Sequence, residues 1–138
     1  MPYAGDLTPT DAFRLLADDP QAVLVDVRTR AEWAYVGLPD LTGLGKEVHR
    51  VEWVSFPDGV PNARFLDELA ERGVNPDGAV VFLCRSGVRS VAAAEAATEA
   101  GYQRAYNVSE GFEGPLDDAG HRGAATGWKA AGLPWRQS

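Results

Sequence analysis

Residues 79–90 read AVVFLCRSGVRS, an apolar run that ends in the one cysteine of the chain and passes at once into two arginines and a glycine. A loop running from a strand into a helix N-terminus gathers unpaired backbone N–H groups into one small space, and the helix dipole adds partial positive charge there. Arg85 and Arg89 add two full charges. Each of these favours a thiolate over a thiol at Cys84. Gly87 lets the loop curl without a side chain in the way, and Ser86 and Ser90 supply hydroxyl groups. The arrangement reads as a nucleophilic sulfur in an anion-binding cradle. A structural cysteine more often sits inside an element among apolar neighbours, whereas electropositive loops and helix N-termini mark reactive ones. Arg89 closes the loop and is expected to turn back over its mouth. Arg85, adjacent to the sulfur, is expected to point to solvent or to an incoming anion.

The elements that must position this loop are legible in outline. Thr8 followed by Pro9 opens a helix with Phe13, Leu15 and Leu16 on its apolar face, ended by Pro20. AVLVDV at 22–27 reads as a buried strand, and Thr29 with Glu32 forms a capping box for a short helix through Trp33 and Tyr35. Residues 37–47 read as loop. VHRVEW at 48–53 alternates like a strand, and Asn62 is placed to cap a helix carrying Phe65, Leu66 and Leu69 that stops at Gly73. AVVFL at 79–83 is the clearest strand. Val88 to Ala100 is Ala-rich helix ended by Gly101, AYNV at 105–108 is a last strand, and GWKAAG a final turn of helix. Strands alternating with helices predict an α/β fold with a mostly parallel sheet flanked by helices on both faces, in a single domain over 1–138. Ligands of such sheets collect at the carboxyl ends of the strands, which is where Cys84 lies.

Composition narrows the field. The 138 residues hold 13 Lys and Arg against 20 Asp and Glu, a net charge of −7. That balance argues against a general nucleic-acid binder while allowing a local basic site. No apolar run approaches the roughly 20 residues of a membrane span, and the start MPYAGDLTPTDAF carries no secretory signal pattern. One cysteine forms no internal disulfide, and no Cys/His cluster has zinc spacing, so neither metal nor cofactor is expected. The expected compartment is a reducing cytoplasm.

Four segments resemble the single-domain rhodanese-like sulfurtransferases. CRSGVRS is similar to that family's active-site loop, VLVDVRTRAEW to its early Asp-Val-Arg strand and Glu–aromatic pair, NVSEGFEG to the Gly-rich stretch after its last strand, and GWKAAGLPW to its C-terminal ending. They stand in family order across about residues 8–135. Many members carry Gly-His-Ile-Pro where this chain has VGLPD at 36–40, and 117–126 resembles an insertion found in some members. The resemblance implies that Cys84 takes the outer sulfur of a small anionic donor such as thiosulfate, becomes a persulfide, and yields the sulfur to cyanide or a thiol. The backbone of Arg85, Ser86, Gly87, Val88 and Arg89 would hold the persulfide. Asp26, Arg28 and Ser90 would support the site. With no second cysteine, the acceptor is external, either a small thiol or a protein.

Two other readings stand beside this one. A Cys-dependent phosphatase or arsenate reductase needs Cys-x5-Arg around an oxyanion, whereas Cys84 to Arg89 is Cys-x4-Arg, a tighter ring. A non-enzymatic persulfide carrier or regulatory module would share the cysteine loop. Arg28 and Glu32, at i,i+4, are expected to pair. His49 and His121 read as surface or core histidines rather than ligands. Trp33, Trp53, Trp128 and Trp135 read as core or lid packing, with Trp53 or Phe112 as a candidate pocket wall.

Overall fold

The computed structural model describes residues 3–55, 59–114 and 127–136; the 117–126 segment and His121 lie outside them. The alternation in the sequence becomes a five-stranded parallel sheet. Its strands are β1 (Gly5–Leu7), β2 (Val23–Asp26), β4 (His49–Arg50), β5 (Ala79–Leu83) and β6 (Arg104–Val108), in the order β1-β6-β5-β2-β4. Helices α1 (Pro9–Asp18), α2 (Arg30–Tyr35), α3 (Phe65–Glu71) and α4 (Val88–Glu99) connect them. Two short strands, β3 (Leu38–Pro39) and β7 (Trp135–Arg136), pair antiparallel as a separate ribbon.

Period-two alternation divides the core. Val25, Val27, Val80, Phe82 and Cys84 pack with Phe65 and Leu69 of α3 and Ala93, Ala94 and Ala97 of α4. Leu24, Val81 and Leu83 pack on the other face with Ala12 and Leu16 of α1 and with Phe112 and Trp128. Both faces are covered, which is why β5 is buried at every residue and reads as a continuous apolar run. The three alanines of α4 let that helix lie close on the sheet and bring its first turn onto the end of β5.

Several local expectations are revised. The strand expected over 48–53 is a regular strand only at His49–Arg50, although Val51 and Trp53 still donate to Asp26 O and Val27 O at the end of β2. Asn62 does not cap α3, whose cap is Arg64. Its carboxamide instead accepts from the Arg64 N–H and donates to Glu52 O and Glu68. GWKAAG is one hydrogen-bonded turn, Ala131 N–H to Gly127 O. β1 and β7 have no counterpart in the sequence analysis, because three- and two-residue strands leave no periodicity to see.

Arg28 does not pair with Glu32. It precedes the cap Thr29 and so stands outside α2, where helical i,i+4 spacing has no force. Its guanidinium turns back onto Asp26 at 2.6–3.1 Å, donates to Gly37 O at 2.8 Å and lies 4.3 Å from the Phe112 ring centroid. Both charges are fully buried. Removing one partner of such a pair costs about 3–5 kcal/mol, because the other is left charged in an apolar interior. One arginine thereby ties together the exit of β2, the loop after α2 and the turn after β6.

Candidate active site

β5 ends at Leu83 and α4 begins at Val88, so Cys84, Arg85, Ser86 and Gly87 make the whole connection. The connection is fixed by the turn that follows β6. Phe112 N–H donates to Cys84 O at 2.8 Å, and Glu113 and Gly114 N–H donate to Arg85 O at 2.9 and 3.1 Å. With its carbonyls held toward that turn, the loop is free to face its N–H groups the other way. Two glycines make the contact close enough. Gly87, at φ +104°, has no room for a side chain, since a Cβ there would stand 2.4 Å from Ser109 O. Gly111, at φ +68°, would place one 2.5–2.6 Å from the backbone of Cys84 and Arg85.

Cys84 is 1% exposed. Its Sγ accepts the Gly87 N–H at 3.1 Å and lies 3.2 Å from Ser90 Oγ. Ser90 Oγ also lies 2.5 Å from Asn107 Oδ1. The orientation of Asn107 follows from sheet register: β1 pairs Asp6 with Asn107, and Asn107 Nδ2 donates to Asp6 Oδ1 at 2.9 Å. That turns Oδ1 toward Ser90. A serine hydroxyl has one proton, so it serves the amide or the sulfur, and it can swing to the sulfur when that atom carries charge. Asn107 escaped the sequence reading; the available signal was an amide at a position that a buried strand reserves for apolar residues.

The two arginines diverge. Arg89 spends its fork on Glu32 of α2, Nη1 to Oε1 at 2.8 Å and Nη2 to Oε2 at 2.9 Å, rather than standing over the loop mouth as a free cation. Burial works against both charges, and the pair overrides it: Glu32 is held below the usual carboxylate range by Arg89 and the Thr29 N–H, and Arg89 is raised by Glu32 and by the nearby Cys84. Arg85 is exposed and carries no ion pair among the described residues. Arg85 and Arg89 line a cleft of about 610 Å³ with Thr29, Glu32, Val54 and Glu113 among others. Cys84 stands behind that lining. Phe112 and Trp53 are not in the wall: Phe112 is wholly buried and Trp53 stacks edge-on against Phe65, and their neighbours Glu113 and Val54 take the positions instead. Of the remaining loop residues, Ser86 is half-buried and Val88 is 77% exposed, facing away from the sulfur's hydrogen bonds. Asp26 and Arg28 support the turn through Phe112 and do not contact Cys84 by any hydrogen bond among the described residues.

Over residues 5–138 the chain matches the family described as STR4 middle domain. It is 38% identical to protein RC0915 of Rickettsia conorii, over 95% of this chain and 96% of that one. It is 28% identical to the thiosulfate sulfurtransferase GlpE of Actinobacillus pleuropneumoniae, over 94% and 90% of the two chains. The crystal structure of Rv0390 from M. tuberculosis superposes with a TM-score of 0.91 at 60% identity, covering 99% of each chain. Among the described residues no helix is long and apolar enough to cross a membrane.

The Glu32–Arg89 pair sets a pH dependence. A carboxylate with a depressed pKa contributes stability that is complete above its ordinary value of 4.5 and is lost as pH falls through its folded value. Glu32→Gln keeps the capping box, which accepts Glu or Gln, and removes only the charge. Urea unfolding is expected to show a stability gap between wild type and Glu32→Gln that is constant from neutral pH to about 5 and narrows below about 4.5; a gap that widens on acidification would contradict the pairing. By the STR4 middle-domain match over residues 5–138, this chain belongs to the rhodanese-like family.

Proposed function

We propose that the protein is a sulfurtransferase that moves sulfane sulfur through a persulfide on Cys84, with thiosulfate as a donor and cyanide or a thiol as acceptor. The observation that carries this reading is the sulfur itself: the one cysteine, buried at a helix N-terminus, with the Gly87 N–H and the Ser90 hydroxyl within hydrogen-bond reach of Sγ. The likeness to GlpE, named a thiosulfate sulfurtransferase, supports it.

In the first step the Cys84 thiolate attacks the outer sulfur of thiosulfate. A Sγ–S bond forms, the S–S bond of the donor breaks, and sulfite leaves with the electron pair. The outer sulfur of the persulfide then lies about 2 Å from Sγ. In the second step cyanide attacks that sulfur, thiocyanate leaves, and the pair returns to Sγ as thiolate. Charge is conserved in each step, and no proton need be removed by a base. The cradle suits both states, since thiolate and persulfide are each anions served by the same N–H groups.

Arg85 is the cation available to a donor, because Arg89 is engaged by Glu32. That engagement also weighs against the phosphatase reading, in which the loop arginine must clamp phosphoryl oxygens. A persulfide carrier with no turnover of its own is the second reading, favoured by the burial of Cys84 behind its cleft.

Intact-mass spectrometry after exposure to thiosulfate is expected to show one adduct of about 32 Da, the mass of one sulfur atom, on wild type and none on Cys84→Ser. Absence of the adduct on wild type would overturn the assignment, and an adduct without thiocyanate production would select the carrier. For Arg85→Ala the KM for thiosulfate is expected to rise about tenfold at low salt with kcat little changed, the effect shrinking as salt screens the attraction. An unaltered KM would remove Arg85 from donor binding.

A further inference from the structure

A second cleft, of about 340 Å³, lies beside the first and is lined by Arg30, Trp33, Ala34, Arg50 and Arg72. Arg30 opens α2, Arg50 is on β4 and Arg72 caps the C-terminal end of α3. Among the described residues none of the three makes an ion pair. Arg50 lies over the Trp33 ring, 5.9 Å from its centroid. Of the carboxylates near them, Glu52 accepts the backbone N–H of Arg30 at 3.0 Å without pairing with its guanidinium, Glu71 pairs with Arg64, and Glu47 lies near His49.

Three unpaired arginines around one indole are out of keeping with a chain of net charge −7, where carboxylates are plentiful. Helix stability does not account for them. Arg72 suits a helix C-terminus, but Arg30 stands at the first position of α2, where the dipole favours anions, and the three cations repel one another. The helix is also shared. Ala31 and Glu32 of α2, with Val36 just beyond its end, face the Cys84 cleft, while Arg30, Trp33 and Ala34 face the basic one. Tyr35, at the end of the same helix, projects into solvent, 83% exposed. A molecule laid across α2 therefore reaches both clefts.

We infer that the Arg30–Arg50–Arg72 cleft is the docking site for an acidic segment of a protein thiol acceptor, which it holds across α2 with its thiol at the Cys84 cleft. The inference rests on the sulfur-transfer reading for its purpose. Exposed guanidinium groups bind one small anion weakly, whereas several carboxylates on one segment engage all three together. Tyr35 offers such a partner an aromatic contact of the kind enriched at protein interfaces. The single cysteine of this chain requires an external acceptor in any case. In the transfer the acceptor thiolate attacks the outer sulfur of the persulfide, a new S–S bond forms on the acceptor, and the Sγ–S pair returns to Cys84.

The test uses the persulfidated full chain and two synthetic peptides, one with a cysteine beside a run of glutamates and one with glutamines in their place. Wild type is expected to transfer sulfur to the glutamate peptide about tenfold faster than to the glutamine peptide at low salt. The preference should vanish at high salt and in Arg30→Gln/Arg50→Gln/Arg72→Gln, and persist in the corresponding triple Lys variant. Cyanide should react equally with wild type and the Gln variant, which also shows that the variant is folded. Equal rates for the two peptides on wild type, or a preference that survives the Gln variant, would overturn the inference. Fluorescence anisotropy of a labelled, cysteine-free glutamate peptide reads docking separately. Should cyanide turnover fail in wild type, the sulfur-transfer reading falls while docking is still decided; should cyanide turn over and the peptide not bind, the docking site falls alone.

Discussion

The geometry of the site depends on where two carbonyl oxygens point. Cys84 O and Arg85 O are held by the N–H groups of Phe112, Glu113 and Gly114, so the backbone between β5 and α4 turns these acceptors to the turn behind it while the Gly87 N–H reaches the sulfur. Neither half does this alone. The turn after β6 is itself pinned, with Phe112 under the Arg28 guanidinium and Trp128 N–H donating to Gly111 O. Arg28 is in turn neutralised by Asp26 at the end of the strand next to β5. A chain of contacts thus runs from β2 through a buried ion pair and an aromatic ring to the loop that carries Cys84.

Charge is distributed around the sulfur with economy. Of the two cations that flank Cys84, one is bound to α2 through Glu32 and fixes the loop against that helix; the other stays exposed at the cleft. The cleft lining holds Glu32 and Glu113 as well as Arg85 and Arg89, so it is mixed rather than strongly cationic. The donors set beside Sγ are short-range ones, the Gly87 N–H and the Ser90 hydroxyl, rather than a broad positive field. Fixed dipoles of this kind act in a buried, low-dielectric site where they need not reorganise during reaction.

Much of this was legible in the amino-acid sequence because it rests on local rules. The cap at Thr8, the capping box at Thr29 and Glu32, the extent of β5 and the start of α4 at Val88 all follow from residues within a few positions of one another. What could not be read depends on distant segments. Glu32 serves a cap three residues away, which sequence reveals, and an arginine 57 positions away, which it does not. Arg28 was assigned to Glu32 by helical spacing, yet the helix begins after it and its partner lies two residues back. Asn107 joins the site only because β1 lies beside β6, and β1 is too short to show a period. Trp53 and Phe112 were candidates for the pocket wall by type; edge-on packing of Trp53 against Phe65 and burial of Phe112 under Arg28 take both out of it.

The contact that fixes the carbonyls can be tested without assuming any reaction. Gly111→Ala would place a methyl group within 2.6 Å of the Cys84 and Arg85 backbone, forcing the loop away from the turn while leaving the sheet and its core intact. The direct measurement is the rate of Cys84 alkylation by iodoacetamide at neutral pH, taken with circular dichroism to confirm the fold. If the turn orients the donors around Sγ, a folded Gly111→Ala variant should alkylate at a rate altered by about tenfold or more, the effect of losing one or two hydrogen bonds to a charged sulfur. A folded variant whose cysteine reacts at the wild-type rate would contradict it.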